Sequence, residues 1–180
     1  MARTLTSRTL LLRLALPAAL AASALAAAAP AAVTDGMVER FGPPWISIES
    51  PPNPHDRATR GAFLVVRTYH HGDLVGQGVR GTAEGIVDGQ RRSVALRFDD
   101  TSQPGVYALK RQWPTEGRWA LVVTTGTAGD GASALVTVAE DRVASVVVPV
   151  RQQDGWNIPR AVTRAEIDAA LGVRVAASGR

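Results

Sequence analysis

Residues 104–126, PGVYALKRQWPTEGRWALVVTTG, constrain the fold more than any other part of the sequence. Within each half of this stretch the large apolar side chains share one parity; they are Tyr107, Leu109, Trp113, Trp119, Leu121 and Val123. Alternation with a period of two places such side chains on one face of a β-strand. The segment PTEG between the halves has the Pro and Gly of a short turn. We therefore predict a β-hairpin whose two adjacent strands bury one Tyr and two Trp side chains on one face.

Short strand-like runs separated by turn residues recur through the middle of the chain. They cover residues 45–49, 62–69, 79–87, 93–98, 132–139 and 143–150. Asp88 and Gly89 form a two-residue hairpin signal, and Glu140 and Asp141 close a last hairpin. Loops are predicted at residues 50–60, 70–78 and 126–131. No helices alternate with the strands, so this spacing predicts an all-β fold, an antiparallel immunoglobulin-like β-sandwich of about seven to eight strands.

A short helix is predicted near the end of the chain, over residues 163–171. Thr163 and Glu166 have the spacing of a capping box, and Gly172 stands where a helix stops. The apolar stripe of this helix consists of Ile167, Ala170 and Leu171. A helix of this length does not persist alone in water, so we expect it to dock on the sandwich or on a partner.

The first 32 residues have the pattern of a secretory signal peptide. A region with three Arg precedes an uncharged run that is rich in Leu and Ala and ends in small residues, so that cleavage after Ala29 or Ala32 fits. The alternative is an uncleaved membrane anchor, which Pro17 and the many Ala residues make a weak one. We predict an exported protein, periplasmic or extracellular, without membrane insertion after cleavage. Residues 33–44 form a linker, 45–151 the sandwich, and 152–180 a tail that carries the helix.

The surplus of positive charge is concentrated in the signal segment. The chain has 20 Lys and Arg against 16 Asp and Glu, and three of the Arg are Arg3, Arg8 and Arg13. The mature chain is therefore almost neutral, which leaves no electrostatic footprint for nucleic acid. The sequence has no Cys, which excludes disulfides, thiol catalysis and thiolate metal sites.

Motifs of enzymes are absent from the sequence or stand in the wrong context. Gly76, Gly78 and Gly81 match a dinucleotide-binding fingerprint by spacing, but the residues after them are strand-like, and a pyrophosphate needs a helix N-terminus there. No nucleophile motif of a serine hydrolase occurs. Asp99 and Asp100 are interpreted as the start of a solvated turn. We predict that the protein is not an enzyme and has no cofactor.

The three histidines all lie in predicted loops, with His55 beside Asp56 and with His70 and His71 close to Asp73. If both loops lie at one end of the sandwich, the three imidazoles could converge on a metal ion. We favour a surface or packing role for them, because no further ligand stands at a suitable spacing.

Two local conditions bear on a metal site. Adjacent His residues on an extended strand point to opposite faces, so His70 and His71 can share one ion only where the chain turns, which Gly72 permits. A soft Cu(I) ion could also recruit Met37. Copper is thus the alternative to the prediction of no cofactor.

Trp156 differs from the other tryptophans of the mature chain. Trp113 and Trp119 share the parity of core residues, whereas Trp156 lies in the segment DGWNIP after the last predicted strand. We expect its side chain to be exposed for binding or to hold the C-terminal helix.

Several loosely spaced patterns together resemble a known group of proteins. They are the N-terminal signal, a G-x-x-x-G-x-x-x-G run, PG-x-Y at Pro104, Gly105 and Tyr107, and G-x-W-x-L at Gly117, Trp119 and Leu121. Over about residues 60–125 they resemble small periplasmic domains of the FixH/YtkA-like group and, more distantly, the CopC-like copper-resistance sandwiches. The resemblance implies an immunoglobulin-like sandwich in the periplasm. In CopC-like proteins a His at the mature N-terminus ligates copper, and neither predicted cleavage site exposes one here.

The sequence therefore leads to two functional hypotheses. The first is an exported, non-catalytic immunoglobulin-like binding or accessory domain that acts on a protein or another component of the cell envelope. The alternative is a periplasmic copper carrier that uses His55, His70 and His71. The candidate binding residues are His55, Asp56, His70, His71, Asp73 and Trp156.

Overall fold

The structure is a computed structural model, and it describes residues 44–126 and 131–173 of the chain. The strands in these ranges are β1 (Trp45–Glu49), β2 (Leu64–His70), β3 (Asp73–Leu74), β4 (Val79–Val87), β5 (Gln90–Leu96), β6 (Asp99–Asp100), β7 (Val106–Leu109), β8 (Arg118–Thr125), β9 (Ser133–Ala139), β10 (Arg142–Val147), β11 (Val150–Gln153) and β12 (Trp156–Pro159). A 3-10 turn covers Arg57–Thr59, and helix α1 covers Arg164–Ala170. The predicted signal peptide, Met37, most of the predicted linker and the centre of the 126–131 loop lie outside the described residues.

The strands form two facing sheets and one separate hairpin, and every paired strand runs antiparallel. The first sheet has the order β1-β2-β7-β6, with β3 beside the end of β2, and the second has the order β10-β9-β8-β4-β5. These orders correspond to strands A-B-E-D and G-F-C-C′ of an immunoglobulin-like sandwich, with β10 as an additional edge strand beyond G. The predicted all-β, immunoglobulin-like sandwich with a short C-terminal helix is confirmed.

Local sequence signals place several strands correctly. The predicted runs 45–49 and 79–87 coincide with β1 and β4. The β4–β5 turn has positive φ at Asp88 (51°) and Gly89 (76°), and the β9–β10 turn has positive φ at Glu140 (48°) and Asp141 (66°). This conformation matches the twist of the flanking strands and favours tight hairpins. The predicted number of strands is too low, because the short strands β3, β6, β11 and β12 have few apolar residues in alternation.

The core lies between the two sheets and receives side chains from both. All six of the apolar residues singled out in residues 104–126 are buried in one cluster: Tyr107, Leu109, Trp113, Trp119, Leu121 and Val123. The first sheet adds Ile46, Leu64 and Val66 to this cluster. The parity of the sequence thus identified the inward faces correctly.

The predicted hairpin in residues 104–126 is wrong. β7 pairs with β2 and β6 in the first sheet, while β8 pairs with β4 and β9 in the second. The segment 110–117 therefore crosses from one sheet to the other, and the aromatic side chains meet across the sandwich. Alternation indicates which face of a strand is buried but not which strand it pairs with. The prediction that the two halves pair with each other was therefore not supported by the alternation itself.

The chain also changes sheets between β5 and β6. The predicted strand 93–98 is observed at Gln90–Leu96, after which the chain leaves the second sheet and joins β7 of the first as β6. Asp99 and Asp100 are thus a short edge strand and not the start of the turn that follows them, but both are exposed, as expected. At the break, Gln112 takes the place of a neighbouring strand, because its side-chain amide accepts from Arg97 N and donates to Arg97 O (2.9 and 2.6 Å).

The predicted tail contains a second correction, because β11 and β12 form an antiparallel hairpin there. Its turn consists of Asp154 and Gly155, with φ values of 51° and 80°. The same two residue types close the β4–β5 hairpin. This turn signal was available in the sequence, but the flanking residues VRQQ and WNIP lack apolar alternation.

Helix α1 docks on its own chain, on the outer face of the second sheet. Leu171 is buried with Ala120 and Leu135, and Ile167 and Ala170 pack against this cluster. The predicted capping box is present, since Thr163 Oγ1 accepts from Glu166 N and Glu166 Oε2 accepts from Thr163 N (2.8 Å). Within the described ranges, no helix is long and apolar enough to cross a membrane.

Candidate functional site

The two histidine-bearing loops lie at opposite ends of the first sheet. β1 and β2 are antiparallel, and Glu49, at the end of β1, pairs with Val65 near the start of β2. His55 follows β1 and therefore lies in the loop before β2, whereas His70 ends β2. β2 has seven residues, which span about 20 Å of strand. The arrangement needed for a site of all three histidines, with both loops at one end, is not observed.

His70 and His71 nevertheless lie side by side. The chain turns at His71 (φ 55°) and Gly72 (φ 90°), as a shared site would require. The two imidazole rings are 4.0 Å apart between centroids and nearly perpendicular. Asp73 pairs with His70 through the backbone of β3 and β2.

The loop with His55 and Asp56 is held by its own hydrogen bonds. Asp56 Oδ1 accepts from Ala58 N (2.9 Å), and Oδ2 accepts from the hydroxyl of Thr59 (3.1 Å). Asp56 thereby caps the 3-10 turn, which is a structural role, while His55 is exposed. Among the residues that the structure describes, no group of three or more His, Cys, Asp or Glu side chains is arranged to hold a metal ion.

Trp156 lies at the end of the separate hairpin and is 71% exposed, as expected for a binding side chain. All four residues of β11 are exposed, and so are Trp156 and Asn157 of β12. The backbone hydrogen bond from Arg160 N to Pro149 O (2.9 Å) closes the base of the hairpin. A two-stranded hairpin is only marginally stable by itself. The exposed indole of Trp156 packs against neither core cluster and is available for contact with a partner.

The neighbouring strand β10 is exposed on both faces. The first sheet ends at β1, which lies over β9 and β8, so that β10 extends beyond it. Val146, opposite the core residue Val136, therefore faces inward but is 40% exposed. Val147 faces the helix side of the sheet and is 51% exposed.

Charge distinguishes β10 from the edge strands β5 and β6, whereas β1, like β10, carries a single charged residue at one end. β1 ends in Glu49, β6 consists of two Asp residues, and β5 contains Arg91 and Arg92. Between Arg142 and Arg151 the sequence is VASVVVPV, without any charge. Charged residues on an edge strand normally prevent its pairing with a strand of another molecule. At β10, a bulge between Val143 and Ser145 and the nearby Pro149 are the features that hinder such pairing. We call residues 142–156, with β10, β11 and Trp156, the β10 surface.

A cavity of about 490 Å³ opens at the other edge of the second sheet, beside the β4–β5 turn. Trp119 forms its floor: the indole lies so close to Gly85 that a Cβ there would stand 2.5 Å from Cε3 of the ring. Trp119 Nε1 donates to Glu116 O (2.8 Å), which fixes the ring against the 110–117 crossover.

Ion pairs attach helix α1 next to this edge. Arg91 Nη1 donates to Asp168 Oδ1 (2.6 Å), and this hydrogen bond is the main cause that lowers the pKa of Asp168. Arg160 donates to both carboxylate oxygens of Glu166 (2.9 and 2.7 Å) and, with the backbone N–H of Thr163, lowers the pKa of Glu166 to about 2. These pairs hold the helix in place, and they involve no residue of the β10 surface.

Comparisons with protein-family models, with curated proteins and with solved structures find no match to this chain. The resemblance to FixH/YtkA-like and CopC-like domains therefore stays a prediction from the sequence patterns.

Proposed function

We propose that this chain is an exported, non-catalytic binding or accessory domain of the cell envelope, and that it binds an extended segment of another envelope protein at the β10 surface. The observation that carries the proposal is the exposure of apolar side chains there. Among the residues described, six large apolar side chains are exposed, and four of them lie in this one segment: Val146, Val147, Val150 and Trp156.

The edge of β10 offers main-chain hydrogen bonds to such a segment. Among the residues that the structure describes, no strand pairs with its outward N–H and C=O groups, and β-augmentation uses groups of this kind for affinity. Val146 and Val147 would then contact alternate side chains of the added strand on its two faces. Trp156 supplies a large aromatic anchor of the type that dominates protein interfaces.

The chemistry of the partner follows from these groups. The uncharged centre of the β10 surface calls for apolar side chains in the partner segment. Arg142 and Arg151 flank that centre, and Arg151 has no carboxylate partner among the described side chains. Acidic residues at the ends of the partner segment would complement them and set its register.

The test compares variants in capture of the partner from the native envelope. We expect Val147→Lys and Trp156→Ala each to weaken capture about tenfold or more, because an interface anchor is lost. Trp45→Ala is the matched control, since Trp45 is also exposed (39%) but lies on β1 of the other sheet. The captured protein is then identified, and its contacting segment is synthesised as a peptide.

Binding of that peptide to the purified protein tests whether the β10 surface is the binding site. The peptide should slow hydrogen exchange of the β10 amides and leave those of β1 unchanged. Equal capture by Val147→Lys and by the wild type, or protection of β1 instead of β10, would contradict the proposal. Capture of a second copy of this chain alone would also contradict it.

A copper-binding role is the second candidate, and the adjacent rings of His70 and His71 are the observation that favours it. Imidazole nitrogens suit copper and zinc, and two of them supply half of a four-coordinate shell. Titration with Cu(I), Cu(II) and Zn(II) tests this role. His70→Ala combined with His71→Ala should abolish any stoichiometric binding, whereas His55→Ala, at the other end of the sheet, should not. Loss of binding in His55→Ala, or no binding by the wild type, would eliminate this candidate.

A further inference from the structure

The cavity beside the β4–β5 turn combines an apolar interior with charged side chains at its mouth. Val87, Val94 and Pro114 form the walls above the indole of Trp119. Val87 and Val94 pack against the core with one side and line the cavity with the other. This interior accepts an apolar group of a ligand, and a volume of about 490 Å³ lies within the size range of small-molecule sites.

Three charged side chains line the mouth: Asp88, Arg92 and Glu116. Within the described ranges, none of them forms an ion pair or a side-chain hydrogen bond. The neighbouring Arg91, in contrast, forms ion pairs with Glu84 and Asp168. The hydroxyl of Ser93 donates a hydrogen bond to Glu84 Oε1. The mouth thus presents two carboxylates and one guanidinium that have no partner among the described residues and can contact a ligand.

We propose that this cavity binds an apolar amino-acid residue that carries a free α-ammonium group, either as a free amino acid or as the N-terminal residue of a peptide. The apolar side chain enters the cavity over Trp119. The ammonium group lies at the mouth against Asp88 and Glu116, and the adjacent carboxylate or carbonyl oxygen accepts from Arg92. An α-amino acid unit carries an apolar side chain, an ammonium group and a carboxylate or carbonyl group on one carbon atom, which matches these three parts of the cavity.

The cavity shares no lining residue with the β10 surface, and β9 lies between β10 and β8, the strand that carries Trp119. The inference therefore goes beyond the proposed function, and either of the two can fail without the other.

The experiment is an NMR titration of the purified protein with four probes. They are L-phenylalanine, L-phenylalaninamide, the peptide Phe-Gly-Gly and N-acetyl-L-phenylalanine. The first two should give saturable shifts of the indole N–H of Trp119 and of the amides of Asp88 and Arg92. N-acetyl-L-phenylalanine lacks the ammonium group and should bind about three- to tenfold more weakly, as expected when exposed charge pairs are lost. Binding of Phe-Gly-Gly indicates a peptide N-terminus as ligand, and its exclusion indicates a free amino acid.

Substitutions at the mouth test the role of each charge. Glu116→Gln should weaken phenylalaninamide about two- to fivefold. Arg92→Gln should weaken phenylalanine more than phenylalaninamide, because only phenylalanine presents a carboxylate. Asp73→Asn removes an exposed carboxylate at the distant end of β2 and should change nothing. The absence of saturable shifts with every probe in the millimolar range, equal affinity for the acetylated probe, or an equal effect of Asp73→Asn would overturn the inference.

Discussion

At the scale of single residues, position decides what each tryptophan does. Trp119 is 3% exposed, rests on Gly85 and donates a hydrogen bond to Glu116 O, so that it supports both the core and the floor of the cavity. Trp156 is 71% exposed at the end of a hairpin. Parity in the sequence predicted the burial of Trp119, and for Trp156 the sequence predicted exposure as one of two alternatives, the other being a contact with the C-terminal helix. The sequence did not indicate the contact between Trp119 and Gly85, because this contact requires the pairing of β4 with β8.

Substitution at these two positions should have very different effects on the free energy of unfolding. Trp119→Ala should lower the free energy of unfolding by about 3–5 kcal/mol, because it leaves a cavity between the sheets. Trp156→Ala is the matched control and should change it by about 0.5 kcal/mol or less, as is usual for exposed side chains. Urea denaturation of both variants measures these values. A near-zero effect of Trp119→Ala would show that the indole does not belong to the core.

At the scale of secondary-structure elements, strands were easier to predict than their partners. β1 and β4 could be predicted to the residue, because local alternation and turn residues define them. The pairing of β7 and β8 could not, since the choice between a hairpin and a crossover depends on which sheet each strand joins. For helix α1, the capping box and the apolar stripe were both visible, but its docking surface required the outward side chains of β8 and β9.

The ion pairs of helix α1 predict a pH dependence. The pKa of Glu166 is lowered from 4.5 to about 2 in the folded chain, so its contribution to stability is present above pH 4.5 and is lost as the pH falls to about 2. The protection factors of the helix amides, which compare their exchange with that of an unstructured chain at the same pH, should therefore fall over this range, and Glu166→Gln should reduce this pH dependence. Glu140→Gln, in the exposed β9–β10 turn, controls for the loss of one carboxylate. A profile unchanged by Glu166→Gln would contradict the assigned role.

At the scale of the whole molecule, the two candidate surfaces lie at the two opposite edges of the second sheet. On one side β10 extends beyond β1 and exposes Val146. At the opposite edge of the second sheet, beside β5, lies the cavity over Trp119. Neither surface could be predicted from the sequence, because each depends on which strands form the sheet edges and on which elements face them.

The most direct test of the proposed function is a map of contacts in the native envelope. A photo-crosslinking amino acid is introduced at Val147, Val150 and Trp156 of the β10 surface, and at Ser47 and Ala95 on the edges β1 and β5 as controls. We predict that the three positions of the β10 surface are crosslinked to one and the same protein and that the controls are not. Crosslinks to that protein at Ser47 or Ala95 but not at Val147 would contradict the account.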